Sequence, residues 1–180
     1  MKKNLEARRV LQRDEALNLL FRVECQHKVI DHCKHVAKNA VEIALKALEK
    51  GASIDLQLIE IGALLHDIGR SVTHDVRHGF IGAEIARSLG VDERITGIIE
   101  KHVGSGIPTN ETAALGLPKK DYIPITLEEK IVCYADKITK NSRKIGFNEA
   151  VEEFKQSLGS DHPAIYRFRM LHKEILEVQM

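Results

Sequence analysis

Hydrophobic positions recur at the three- and four-residue spacing of amphipathic helices along most of the chain. The clearest run covers residues 29–49, where one face collects small and branched apolar side chains: Val36, Ala37, Ala40, Val41, Ala44 and Leu48. Shorter runs predict helices over residues 14–21, 78–89, 93–102 and 163–176, with a charged, frayed helix over 1–13. No strand pattern is convincing, and the prediction is therefore an all-α bundle of about seven to nine helices.

The predicted helices carry recognisable start and stop residues. Ser53 or Asp55 can cap a helix that continues toward Gly69, and Asp92 can cap a later one. Thr126 and Glu129 have the spacing of a capping box, which starts the helix that carries Asp136. Further start and stop residues are Asn148 and Pro163 for starts and Gly51, Gly90 and Gly159 for stops. Two neighbouring helices should pack through Ile81 and Ile85 against Ile95 and Ile99.

One long connection, residues 107–125, interrupts the helical pattern. It contains three of the four prolines, and a connection of this length in a compact domain is usually functional. Because it precedes the helix that carries Asp136, we expect it to form a wall or lid of any nearby site, through Thr109, Leu117 and Tyr122.

Composition narrows the choice of class and partner. At 180 residues the chain suits one domain, and 27 basic against 26 acidic residues give no bulk charge that favours nucleic acid or an anionic membrane. The three cysteines show no CxxC spacing, which favours reduced thiols in a cytoplasmic protein. No apolar run is long enough to span a membrane, and no secretory signal opens the sequence. We therefore expect a cytoplasmic protein without a membrane or a stable nucleic-acid partner, and a homo-oligomer stays open.

The strongest chemical signal is His66-Asp67, which follows an apolar run and precedes Gly69 and Arg70. An adjacent imidazole and carboxylate are costly to bury unless something compensates them. A divalent cation does so, since both groups are good ligands. The simpler interpretation is a helix that ends in a polar pair beside its stop glycine.

Four more residues bear on that choice, and each has an ordinary explanation by itself. His32 fits a partly buried histidine, His78 a helix start, and His102 a helix end. Asp136 interrupts an apolar helix and would need a partner there. Together with His66-Asp67 they place metal-ligand side chains at the ends of five helical segments, which favours a shared metal site.

These motifs resemble the HD superfamily of metal-dependent phosphohydrolases, in its small HDIG-type branch. The resemblance covers roughly residues 29–140 and rests on His32 before Val36-Ala37, on the HDIGR stretch, and on Ala135-Asp136-Lys137. It implies one HD-type domain over 1–180, with segments 1–28 and 148–180 packed on a core of 29–140. It also implies that one ion is bound by His32, His66, Asp67 and Asp136. In two-metal members a second ion uses two further histidines, matched here by His78 and His102, with Asp67 bridging.

The chemistry that the resemblance implies is attack on phosphorus by a water that one or two divalent ions activate. Mixed His and carboxylate ligands admit Fe, Mn, Co, Ni or Zn. Asp67 and Arg70 are the expected catalytic residues, and Arg70, Lys101 and Lys137 the candidate substrate contacts. The expected substrate is a nucleotide or related small phosphoester, as a phosphomonoester or phosphodiester. Alternatives are a diadenosine-polyphosphate hydrolase, an RNA-end phosphatase, or a non-catalytic metal-bound nucleotide-sensing module.

Overall fold

The computed structural model describes residues 11–180. Nine α-helices follow one another in this part of the chain: α1 (Arg13–Arg22), α2 (His27–Glu49), α3 (Leu56–Leu65), α4 (His78–Ser88), α5 (Glu93–Lys101), α6 (Thr109–Thr112), α7 (Leu127–Lys137), α8 (Phe147–Leu158) and α9 (Pro163–Glu177). One antiparallel hairpin joins α7 to α8, with strands β1 (Thr139–Lys140) and β2 (Arg143–Lys144). The all-α prediction is confirmed, while the helix predicted over 1–13 lies almost wholly outside the described residues.

Helix α3 lies at the centre of the bundle. Apart from Gln57 and Glu60 its residues are apolar, and such a helix is stable only when neighbours cover it on every side. Helices α1, α2, α5 and α7 all pack against it. Gly62 permits the closest of these contacts, because a Cβ there would lie 2.5 Å from Cδ1 of Ile98 on α5.

The remaining helices enclose the same core from outside. Helix α2 also packs on α7, α4 packs on α5, and α9 packs on α7 and α8. The largest side chains that this packing removes from solvent are mostly branched aliphatic: Leu20, Ile59, Ile61, Leu64, Leu65, Ile68, Ile95, Ile98, Ile99, Ile131 and Phe168. Such a core is rigid enough to hold polar groups of distant segments in one place.

Most of the predicted helix starts are confirmed by the structure. The Asp55 carboxylate accepts a hydrogen bond from the Leu58 amide, Asp92 accepts one from Arg94, and Thr126 forms a capping box with Glu129. The Asn148 cap is wrong. Helix α8 starts at Phe147, because Gly146 occupies the cap position and the Phe147 ring stacks on His172 at a centroid distance of 3.7 Å.

Two turns differ from the predicted pattern. Helix α3 ends at Leu65, before the predicted stop, and the chain continues through a 3₁₀ turn (Ile68–Ser71). This turn packs backbone to backbone on α4: a Cβ on Gly69 would lie 2.0 Å from the carbonyl oxygen of His78. The β hairpin was not predicted, since strands of two residues are too short to show an alternating pattern.

The long connection has structure of its own. It contains α6 and a 3₁₀ turn (Ala113–Leu115), and its ends are joined by a bridge between Ile107 and Tyr122. These two residues and Leu117 form a small second apolar cluster, separate from the main core.

Candidate metal centre

The fold brings together the six residues that the sequence suggested as metal ligands. His32 lies on α2, His66 and Asp67 follow α3, His78 begins α4, His102 follows α5, and Asp136 lies near the end of α7. Their ligand atoms form three overlapping groups, and within each group all atoms lie within 4.8 Å of one another: His32, His66 and Asp67; His66, His102 and Asp136; and Asp67, His78 and His102. Side chains separated by up to 104 residues in sequence thus meet at one point.

Three of the four imidazoles are held by the backbone of their own turn. The Nδ1 atoms of His66, His78 and His102 contact the carbonyl oxygens of Ala63, Asp75 and Ile99, at 2.7, 2.6 and 2.7 Å. A carbonyl oxygen can only accept a hydrogen bond, and each Nδ1 must therefore carry the proton. In the neutral ring the Nε2 lone pair is then directed into the cluster, which is the usual arrangement of a metal-ligating histidine.

Asp67 lies between two halves of the cluster: one half contains His78 and His102, and the other contains His32, His66 and Asp136. Its Oδ1 lies 3.1 Å from Nε2 of His78 and 3.5 Å from Nε2 of His102, while its Oδ2 lies 3.6 Å from Nε2 of His66. In the other half, Oδ1 of Asp136 lies 2.9 Å from Nε2 of His32 and 3.5 Å from Nε2 of His66. The carboxylate of Asp67 therefore has one oxygen in each half, as a bridging ligand would.

The cluster contains polar atoms that the described residues leave without hydrogen bonds. Nε2 of His66 and Oδ1 of Asp67 are shielded from solvent and unpaired within residues 11–180. The Nε2 atoms of His78 and His102 lie 3.0 Å apart, and with both protons on Nδ1 two lone pairs face each other. Buried atoms of this kind are unfavourable without a cation, and the residues fit a divalent metal ion.

Two carboxylates and one imidazole of the centre are in the ionisation states that bind metals. Burial opposes the ionisation of Asp136, but the adjacent Lys137 ammonium and the neighbouring imidazoles hold its pKa well below the usual range. Burial likewise opposes that of Asp67, yet the nearby imidazoles of His66, His102 and His78 keep its pKa well below normal. Burial lowers the pKa of His102 to about 4. At neutral pH the centre thus offers two carboxylates and, at His102, a neutral imidazole, the forms that bind metals.

Two of the three predicted substrate contacts lie beside the cluster. Nε of Arg70 donates to Oδ2 of Asp67 at 2.7 Å, and its side chain remains partly exposed. Lys137 forms an ion pair with Asp136. Lys101 does not reach the cluster: its ammonium binds Glu129 at 2.6 Å, near the opposite end of α7 from Asp136. We therefore omit Lys101 from the substrate contacts.

The cluster opens to solvent through a cleft of about 450 Å³. Its lining is mostly polar and comes from α2, the turns after α3, and the hairpin: Lys28, Val29, His32, Asp67, Arg70, His74, Asn141 and Ser142. None of these residues belongs to the connection 107–125, and the wall predicted there is wrong for this cleft. Sequence reasoning missed Lys28, although it precedes His32 by four residues and so lies on the same helix face. It also missed the hairpin tip.

Comparison with known proteins agrees with this geometry. Residues 29–141 match the family model described as the HD domain. The chain belongs to the HD domain family. An uncharacterized protein of Methanocaldococcus jannaschii is 45% identical, with 90% of this chain and 95% of that protein aligned. The tRNA (cytidine(56)-2'-O)-methyltransferase of Thermoplasma volcanium is 38% identical over 87% of this chain, but this region is only 44% of that longer protein.

A solved structure shows the same fold. The HD domain of the Listeria monocytogenes phosphodiesterase PgpH, in complex with cyclic-di-AMP, aligns with 90% of this chain and 95% of its own, with a TM-score of 0.54 and 16% identity. An HD domain therefore has this bundle even where little sequence is shared. Among the described helices, none is both long and apolar enough to cross a membrane.

Proposed function

We propose that the protein is a metal-dependent phosphohydrolase that cleaves a nucleotide or a related small phosphoester with a metal-activated water. The observation that carries the proposal is the buried cluster of four imidazoles and two carboxylates beside an open cleft with a guanidinium at its edge. His32, His66, Asp67 and Asp136 would hold one ion, and His78 and His102 together with Asp67 would hold a second. Two divalent ions bound there would supply Lewis acidity and activate a water near neutral pH.

The protein's own groups then have distinct tasks. Asp67 contacts the imidazoles on both sides of the site. It also accepts the hydrogen bond of Arg70, which holds the guanidinium at the mouth of the cleft. With Nε occupied, the Nη groups can donate to a phosphate oxygen, although one also lies 3.4 Å from the carbonyl oxygen of His74. The Lys137 ammonium offsets the charge of Asp136. The charge that develops on a reacting phosphate is thereby met by fixed cations.

A second candidate is an RNA-borne phosphoester, such as a phosphate at an RNA end. The observation in its favour is that a domain 38% identical to this chain forms part of a longer protein named for tRNA methylation. An open cleft admits a chain end as readily as a free nucleotide.

The experiment is a substrate panel assayed with each of Mn²⁺, Fe²⁺, Co²⁺, Ni²⁺ and Zn²⁺. It contains nucleoside phosphates, dinucleotides, diadenosine polyphosphates, cyclic dinucleotides and RNA with 3'- or 5'-phosphate ends. Metal-dependent turnover of one class, lost in Asp67→Asn, supports the hydrolase. Binding of nucleotides without turnover under any metal would support the alternative of a metal-bound sensing module.

A further inference from the structure

The tip of the β hairpin lies at the edge of the cleft. Asn141 and Ser142 form the two-residue loop between Lys140 and Arg143, and both line the cleft. Both have positive φ, 47° and 59°, which is the backbone geometry that a two-residue hairpin turn favours. The turn therefore fixes where these two side chains lie relative to the cleft.

A specific hydrogen bond holds the tip against α2. The Ser142 hydroxyl donates to Oδ2 of Asp31 at 2.8 Å, and Asp31 directly precedes His32. The hairpin tip is therefore anchored one residue away from a proposed metal ligand.

The polar groups of this region divide into paired and unpaired ones. The basic residues of the strands are neutralised: Lys140 by Glu153, Arg143 by Glu149, and Lys144 by Glu42. In contrast, the side chains of Lys28 and Asn141 have no hydrogen-bond or ion-pair partner anywhere in residues 11–180. Both are exposed, and both line the cleft. An unpaired ammonium and an unpaired carboxamide thus face the space beside the metal centre.

We propose that Lys28 and Asn141 form a subsite for the part of the substrate beyond the scissile phosphate. This inference rests on the proposed function and narrows it to a nucleotide that carries a further phosphate. The cleft, at about 450 Å³, has the size of sites that take whole small molecules. Arg70 serves the phosphate at the metals, Lys28 the additional phosphate, and the Asn141 carboxamide the nucleoside.

The test measures binding to the metal-loaded protein by titration calorimetry, with three probes of increasing size: inorganic phosphate, adenosine 5'-monophosphate and α,β-methylene-adenosine diphosphate. The parent should bind each larger probe more tightly than the smaller one. Lys28→Ala should remove the advantage of the diphosphate over the monophosphate. Asn141→Gly, which suits the positive φ, should weaken the monophosphate about tenfold without changing phosphate binding, as expected when one hydrogen bond to a ligand is lost.

The control is Lys34→Ala, which removes the same charge from α2 at an exposed position outside the cleft lining. It should leave all three affinities unchanged. If the diphosphate advantage survives in Lys28→Ala, or the nucleoside advantage survives in Asn141→Gly, the role of that residue is wrong. A parent that binds all three probes equally overturns the subsite as a whole. If the affinities change as expected while no phosphoester is hydrolysed, the subsite stands and the proposed hydrolase fails.

Discussion

In three of the four clustered histidines, hydrogen bonding to the backbone determines which ring nitrogen is available to a metal. Three Nδ1 atoms are committed to backbone carbonyls within the same turn, which leaves Nε2 as the only ligand atom. No sequence motif specifies this commitment by itself, because the hydrogen bond requires each histidine to sit at or near a helix terminus. His66 and His102 follow α3 and α5, and His78 begins α4. The sequence nevertheless located these positions, since helix ends are marked by glycines and caps.

The number of bound ions is the first prediction at this scale. After loading with Mn²⁺ and removal of the excess, elemental analysis should give about two ions per chain in the parent. His78→Ala and His102→Ala should each retain about one, because in the proposed arrangement each of these histidines binds only the second ion. His35→Ala is the matched control: its ring contacts the carbonyl of Asp31 outside the cluster, and the variant should retain two. If both variants, His78→Ala and His102→Ala, still bind two ions, these histidines are not ligands of the second ion and the proposed two-metal arrangement is wrong.

The guanidinium of Arg70 gives a second prediction. Arg70→Ala should lower kcat about a hundredfold, the order of loss seen when one preorganised donor to a developing charge is removed. Arg70→Lys should recover part of the loss, since charge is restored without the planar fork. Metal content should stay at the parent value in both.

A neighbouring arginine supplies the control for that measurement. Arg77 is exposed and pairs with Asp75 at 2.6 Å, and Arg77→Ala removes the same charge without touching the cleft. Its kcat should equal that of the parent. If Arg70→Ala melts at a much lower temperature and keeps its kcat, Arg70 is a structural partner of Asp67 and not a substrate contact.

At the scale of elements, periodicity predicted where helices lie better than how they pack. The apolar face through Ile81 and Ile85 was expected to meet α5, yet α4 buries its small residues Gly79, Gly82 and Ala83. A Cβ on Gly82 would lie 3.0 Å from Cγ2 of Ile99. Helices α4 and α5 approach closely because of these glycines, and a search for hydrophobic positions does not detect glycines. The same limit explains the missed hairpin, whose strands are defined by pairing and not by alternation.

The contact between the 3₁₀ turn and α4 yields an element-scale prediction. Gly69→Ala places a methyl group 2.0 Å from the carbonyl oxygen of His78, and backbone must move to accommodate it. The free energy of unfolding should fall by about 1–3 kcal/mol, the usual penalty of overpacking. Because His78 moves with that carbonyl, the variant should also lose the ion held with His102.

Denaturant unfolding and elemental analysis check both parts. Gly146→Ala is the comparison substitution, because a Cβ there meets nothing within 4 Å. Gly146 caps α8 and alanine is a poor cap, so its stability should fall by about 0.5–1 kcal/mol while its metal content stays at the parent value. Unchanged stability and metal content in Gly69→Ala would show that α4 is not positioned by this contact.

At the scale of the whole molecule, the centre joins side chains from five separate helical segments of the chain. The clustered side chains come from α2, the turn after α3, α4, the end of α5, and α7, and the same helices enclose the core. From sequence, the residues that cluster and the bundle could both be predicted, while their role as ligands stays a prediction. The cleft could not, since its walls are formed by residues 28 and 141–142, which only the tertiary fold brings together.

A metal ion bound by all five segments would be a structural component of the fold, and the last prediction follows from this. Without a cation, Nε2 of His66 and Oδ1 of Asp67 have no hydrogen bond within residues 11–180, and the Nε2 lone pairs of His78 and His102 face each other. A ligand that binds only the folded state adds about 2.7 kcal/mol at a concentration one hundred times its Kd. For a chain of this length, each kcal/mol shifts the melting temperature by about 2–4 °C. Chelation should therefore lower Tm by about 5–10 °C, and Mn²⁺ should restore it.

The comparison that isolates the centre is Asp67→Asn, measured with and without chelator by differential scanning calorimetry. The amide keeps the shape of the side chain but removes the bridging charge, and the variant should melt at nearly the same temperature in both conditions. His35→Ala should show the full parent shift. Equal Tm values for the chelated and loaded parent would mean that the five segments are held by the apolar core alone, with the imidazoles and carboxylates tolerated there without an ion.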